Sequence, residues 1–102
     1  MTTERHRLTD SEIVAGLEKL PGWSLADGKL HRDYQFRDFV EAWGFLTSAA
    51  IRVQEMDHHP EWFNVYNKVR IDLVTHSVGG VSALDLELAG TLEELARRLA
   101  AR

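Results

Sequence analysis

The chain has 102 residues, 44% hydrophobic and 27% charged, with a formal net charge of −4, which bounds it to one domain of ordinary globular composition. The acidic balance and the lack of any Lys/Arg run argue against nucleic-acid binding by phosphate neutralisation, and the absence of cysteine excludes disulfides, thiol nucleophiles and cysteine-ligated zinc. No apolar stretch approaches the roughly 20 residues needed to cross a bilayer, and the first seven residues hold no apolar signal region, so a soluble cytoplasmic protein is expected.

Residues 1–7 are polar and unpatterned and are expected to be disordered, leaving 8–102 as the folded domain. A helix start follows. Thr9 fits the N-cap, Glu12 completes a capping box, and Leu8 and Ile13 are spaced for a hydrophobic staple. Ile13, Val14, Leu17 and Leu20 form one face, and Pro21-Gly22 ends the helix. Trp23–Leu25 and Leu30–Phe36 then flank Asp27-Gly28, a hairpin signal. On the second strand Leu30, Tyr34 and Phe36 share a face interrupted by Arg32, while His31 falls on the polar face, where a solvated strand histidine is the simplest reading.

Asp38 fits as the cap of the longest element, about residues 39–56. Phe39, Trp43, Leu46, Ala50 and Val53 repeat at helical spacing and define the face expected to meet the sheet. At 100° per residue the apolar arc is wider than one interface needs: Val40 and Ile51 lie off one side, Phe45 and Met56 border the other. Only Glu41, Gly44, Ser48, Arg52 and Glu55 make a clear polar strip. A helix apolar around most of its circumference is usually buried on more than one side, which points to self-association through residues 39–56.

Pro60 disfavours helical geometry at His59, so the helix stops near Asp57. His58 and His59 therefore sit at or just past a helix C-terminus, where backbone carbonyls favour positive charge. From Phe63 to His76 the pattern has period 2, with Val65, Val69, Ile71 and Leu73 on one parity, and a hairpin broken near Asn67-Lys68 is expected. Gly79-Gly80 ends the strand region. Ser82 and Asp85 cap a last helix whose face is Leu84, Leu88, Leu92, Leu95 and Leu99, weakened locally at Gly90. The order α-β-β-α-β-β-α predicts a single α+β domain, about four antiparallel strands covered on one face by three helices.

Histidine is the side chain best suited to proton transfer near neutral pH, so His58, His59 and His76 are the candidates for chemistry. A metal site fits poorly, because adjacent histidines in extended chain point to opposite sides and no i, i+4 pair is present. Nucleophilic catalysis lacks its nucleophile: there is no cysteine and no G-x-S-x-G elbow. General acid–base catalysis on a small molecule needs only a few imidazoles around a cleft. Histidines that merely cap the helix or satisfy loop carbonyls are the structural alternative, and spacing alone leaves both open.

The run Asp57-His58-His59-Pro60-Glu61-Trp62-Phe63-Asn64-Val65-Tyr66-Asn67-Lys68-Val69, followed by Thr75-His76 and Asp85, closely resembles the pterin-4a-carbinolamine dehydratase family, also known as the dimerisation cofactor of a homeodomain transcription factor. The resemblance covers roughly Leu8 to Leu99. It implies dehydration of 4a-hydroxytetrahydropterin to quinonoid dihydropterin, recycling pterin after aromatic amino-acid hydroxylation. It implies no redox cofactor and no metal, a homodimer or homotetramer through the 39–56 helix and the sheet edge, and an aromatic amino-acid hydroxylase as candidate partner. Membrane and nucleic acid are not implied. His58, His59 and His76 match the family's active-site histidines, His58 and His76 being assigned to proton transfer and His59 mainly to holding the pterin. Asp57, His58, His59, Pro60, Val74, Thr75, His76 and Ser77 match the pterin-contacting stretches, with Gln54 and Asp85 as supporting residues. Gln54 stands where family members often carry an acid, so it can accept a hydrogen bond but supplies no charge. The alternative reading is a non-catalytic protein-binding module on the same fold.

Overall fold

The computed structural model describes residues 6–99. Most of the segment expected to be disordered, residues 1–5, lies outside the described residues; His6 and Arg7 run as irregular chain, and the Leu8 N–H donates to the Val81 carbonyl at 2.8 Å.

Helix α1 (Asp10–Leu17) opens on the reciprocal capping box read from the sequence. The Thr9 side chain accepts from the Glu12 N–H at 3.2 Å, and Glu12 Oε1 accepts from the Thr9 N–H at 2.9 Å. Strands β1 (Ser24–Ala26) and β2 (Lys29–Gln35) meet at Asp27-Gly28. Their φ values of 52° and 77° are both positive, the conformation that a two-residue hairpin following the sheet twist requires. Helix α2 (Phe39–Met56), strands β3 (Glu61–Val65) and β4 (Lys68–Leu73) and helix α3 (Ala83–Arg98) complete the chain, with a single 3₁₀ turn at His76–Val78. The strands form one antiparallel sheet in the order β1-β2-β4-β3, and the α+β architecture is the one expected.

Period-2 alternation places Leu30 and Tyr34 of β2, with Phe36 just beyond it, and Val69, Ile71 and Leu73 of β4 on the covered face. There they pack with Ala42, Phe45, Ala49 and Val53 of α2 and Leu88, Leu92 and Ala96 of α3. Arg32 interrupts this apolar face, and Glu93 of α3 pairs with its charge. The Arg32 guanidinium lies 4.2 Å from the Tyr34 ring centroid and 3.5 Å from Glu93. Trp23 Nε1 and the Tyr34 hydroxyl donate to the same carboxylate at 3.1 and 2.5 Å. Burial, reinforced by Glu93, pushes the Tyr34 phenol well above its ordinary range.

Three expectations about faces are corrected. On α1, Ile13 is buried and Leu17 and Leu20 pack against the core, but Val14 is exposed. On α2 the buried residues are Ala42, Phe45, Leu46, Ala49 and Val53, whereas Phe39, Trp43 and Ala50 point outward with Val40 and Ile51. At 100° per residue the two apolar stripes are centred about 120° apart. The sheet takes the one bearing Ala42 and Ala49, whose small side chains let helix and sheet approach closely, rather than the one with the larger aromatics. On β3 the parity is inverted by the two-residue turn at Tyr66-Asn67. Trp62 and Asn64 pair with inward Ile71 and Val69, and Phe63 and Val65 pair with outward Arg70 and Lys68. Val65 is therefore exposed rather than aligned with Val69. Among the described residues, no helix is long and apolar enough to cross a membrane.

Candidate active site

The end of α2 is set by Asp57, which adopts left-handed geometry at φ 50° and ψ 44°. The Asp57 N–H donates to the Gln54 carbonyl at 3.2 Å and the His58 N–H to the Val53 carbonyl at 3.3 Å, the two bonds of a Schellman motif. The last carbonyls are thus met by backbone N–H groups, and the imidazoles expected to face them are left for other partners. The reversal at Asp57 folds His58 back under the helix end, where it is buried, while His59 stays exposed.

His58 Nε2 lies 2.5 Å from Asp85 Oδ1. Asp85 is fully buried at the first turn of α3, where the helix N-terminus favours negative charge. Its other oxygen, Oδ2, accepts from the Thr75 hydroxyl at 2.8 Å and from the Ser82 N–H at 2.8 Å. Thr75 and Ser82 hydroxyls are themselves 2.7 Å apart. The capping box legible in the sequence therefore holds a carboxylate that also orients a histidine. With Nε2–H committed to Asp85, the ring nitrogen left to exchange a proton is Nδ1. Thr75, matched to a pterin-contacting stretch, directs its hydroxyl into this network. That was not legible beforehand, because regular alternation stops at Leu73.

His59 Nε2 reaches Gln54 Oε1 at 3.4 Å, one turn back on α2. An amide oxygen accepts but carries no charge, so Gln54 orients the ring without pairing with it. His76 enters from the opposite lip. The strand ends at Leu73, and a bridge between Thr75 and Gly80 pins a short loop. The 3₁₀ turn at its tip, closed by Gly79 at φ 69°, presents His76 to solvent. His76 Nε2 lies 3.4 Å from Glu61 Oε2.

These segments enclose a cleft of about 250 Å³ lined by Asp57, His58, His59, Val74, Thr75, His76 and Ser77. All seven are among the eight residues matched to pterin contacts; Pro60 is not in the lining. A larger concavity, about 410 Å³, lies on the open sheet face between β2 and β3 but contains no histidine. Chemistry favours the smaller cleft, where a buried carboxylate–imidazole pair faces two exposed imidazoles. Among the described residues no cluster of three or more His, Asp or Glu side chains has metal-binding geometry.

A small α+β domain with three histidines converging between a helix end and a strand-following loop is the class of protein these observations define. The family model for pterin 4 alpha carbinolamine dehydratase matches residues 6–95. A Solibacter usitatus protein provisionally named pterin-4-alpha-carbinolamine dehydratase is 51% identical over 94% of this chain and 98% of its own length. A Paraburkholderia xenovorans protein with the same provisional name is 48% identical over 88% of this chain and 96% of its own. A Brucella melitensis crystal structure described as a transcriptional coactivator/pterin dehydratase superposes with a TM-score of 0.86 at 44% identity, covering 89% of this chain and 99% of that one. The chain belongs to the pterin-4a-carbinolamine dehydratase family.

Proposed function

We propose that the protein dehydrates 4a-hydroxytetrahydropterin in the 57–59/74–77 cleft by histidine acid–base catalysis. The reaction is redox-neutral. The C4a–O bond breaks as the hydroxyl is protonated and leaves as water, the N5–H proton is lost, and the C4a=N5 double bond of the quinonoid dihydropterin forms. One acid and one base suffice, each typically contributing 10²–10⁴-fold.

The observation that carries this reading is the convergence of His58, His59 and His76, each beside a different partner. His58, oriented by Asp85, and His76 on the opposite lip are the groups assigned to proton transfer. His59, steadied by neutral Gln54, holds the pterin. Family membership supplies the substrate class, and recycling of pterin in the cytoplasm after aromatic amino-acid hydroxylation is the setting proposed for it. The assay is absorbance-monitored dehydration of 4a-hydroxytetrahydropterin in stopped flow. Catalysis above the buffer rate is expected, and a rate equal to buffer would remove the proposal.

A specific feature favours a second role as an assembly module. Phe39, Val40, Trp43 and Ile51 are between 49% and 78% exposed along one side of α2, and Phe63 and Val65 are exposed on edge strand β3. Apolar area of this kind marks protein contact. A homodimer or homotetramer through α2 and the β3 edge is proposed, and the coactivator description of the Brucella melitensis relative makes a second protein the alternative occupant. A variant lacking the histidines that still assembles would separate this role from the enzyme.

A further inference from the structure

We infer that Glu61 is a positioning residue for His76, held in place by Lys29 from across the sheet. The inference rests on the functional reading above for its effect on rate, but its structural content stands apart from it. No reading of the sequence singles out Glu61 or Lys29, since neither period nor local motif connects them.

Strand register connects them. Glu61 of β3 faces Asp72 of β4, and Asp72 faces His31 of β2, a row of side chains on the open face of the sheet. Lys29 lies two residues before His31 on the same face, one row closer to the cleft. Its side chain spans β4 to bring Nζ within 2.6 Å of Glu61 Oε1. The other oxygen, Oε2, then faces His76 Nε2 at 3.4 Å. One carboxylate is shared, with its first oxygen held by an ammonium and its second turned to an imidazole.

The need for such a group follows from where His76 sits. Its side chain is 78% exposed on a single 3₁₀ turn, so packing does not select its rotamer. A long flexible glutamate would be a poor guide by itself, and Lys29 restricts it. An acceptor opposite Nε2 favours the Nε2–H tautomer and leaves Nδ1 to face a substrate, as Asp85 does for His58. The hydrogen bond to Lys29 holds the Glu61 carboxyl below its usual range, and Glu61, with Asp72 and Asp27 adding to it, raises Lys29. Residue 54 is neutral in this chain, and the carboxylate beside His76 comes from β3.

The test compares full-length Glu61→Gln, Glu61→Ala and Lys29→Met with wild type. Exposed pairs contribute little to stability, so thermal melts are expected to stay unchanged. Nitrogen-detected NMR of the neutral His76 ring should show the Nε2–H tautomer dominant in wild type and depleted in Glu61→Ala, with Glu61→Gln between them because the amide still accepts. The kcat for dehydration should fall about tenfold in Glu61→Ala with KM little changed, and less in Glu61→Gln and Lys29→Met. An unchanged His76 tautomer in Glu61→Ala overturns the inference whatever the rate does. A shifted tautomer in a protein whose wild type lacks dehydratase activity sustains the placement of His76 while removing the proposed function.

Discussion

Asp85 accepts from His58, Thr75 and the Ser82 backbone together, so its two duties can be separated by chemistry. In Asp85→Asn the amide oxygen can still accept hydrogen bonds, but the acceptor facing His58 Nε2–H is neutral or replaced by a donor. The expected result is a fall in kcat on the order of 10²-fold, within the range of one positioned acid–base group. The accompanying stability loss, from a perturbed buried hydrogen-bond set, is about 1–3 kcal/mol by urea melts. His31 makes the opposite kind of pair. Its Nδ1 and Nε2 lie 2.8 and 2.9 Å from Asp72 and Asp33, and those bonds, Asp72 first, raise its pKa. The folded state therefore binds this proton more tightly than the unfolded state. The stabilisation is complete below the unfolded value near 6.5 and is lost as pH rises through the raised folded value. Compared with His31→Gln, wild type should be more stable by about 1 kcal/mol near pH 5.5, with the gap closing at alkaline pH. Denaturant melts across that range measure it.

At the scale of elements, the caps, the Asp27-Gly28 hairpin and the end of α2 were legible because each depends on a few adjacent residues, whereas α1 stops at Leu17, short of the Pro21-Gly22 end expected for it. The choice of face on α2 was not. Periodicity shows that Phe39, Trp43, Ala42 and Phe45 are apolar, but which stripe the sheet takes depends on how closely two elements can approach. The parity of β3 failed for a related reason, since a two-residue turn changes which side chains share a face. In the site, the three histidines and Asp85 were legible through a contiguous motif and a capping box. Glu61, Lys29 and the direction of the Thr75 hydroxyl depend on cross-strand register and on an irregular loop, which no local pattern encodes. Gly90, expected to weaken the last helix, lies inside α3. A Cβ there would meet nothing within 4 Å, so Gly90→Ala is expected to stabilise the protein by about 0.5–1 kcal/mol in chemical denaturation.

For the whole molecule, the helix α2 stripe left open by the sheet and the exposed β3 edge are the surfaces the proposed assembly would cover. Light scattering is expected to give a mass well above the 11.6 kDa of one chain, and Ile51→Glu, which puts a charge in the α2 stripe, should lower it. A clean monomer at micromolar concentration would contradict the assembly. The histidine cleft lies where the C-terminal end of α2 meets the loop after β4. The central claim is that this cleft dehydrates a 4a-hydroxytetrahydropterin through His58 and His76. Its most direct test is the stopped-flow dehydration rate of wild type beside the folded His58→Ala/His76→Ala double variant. The account predicts catalysis by wild type and a loss of at least about 10²-fold in the double variant; a double variant as fast as wild type would contradict it.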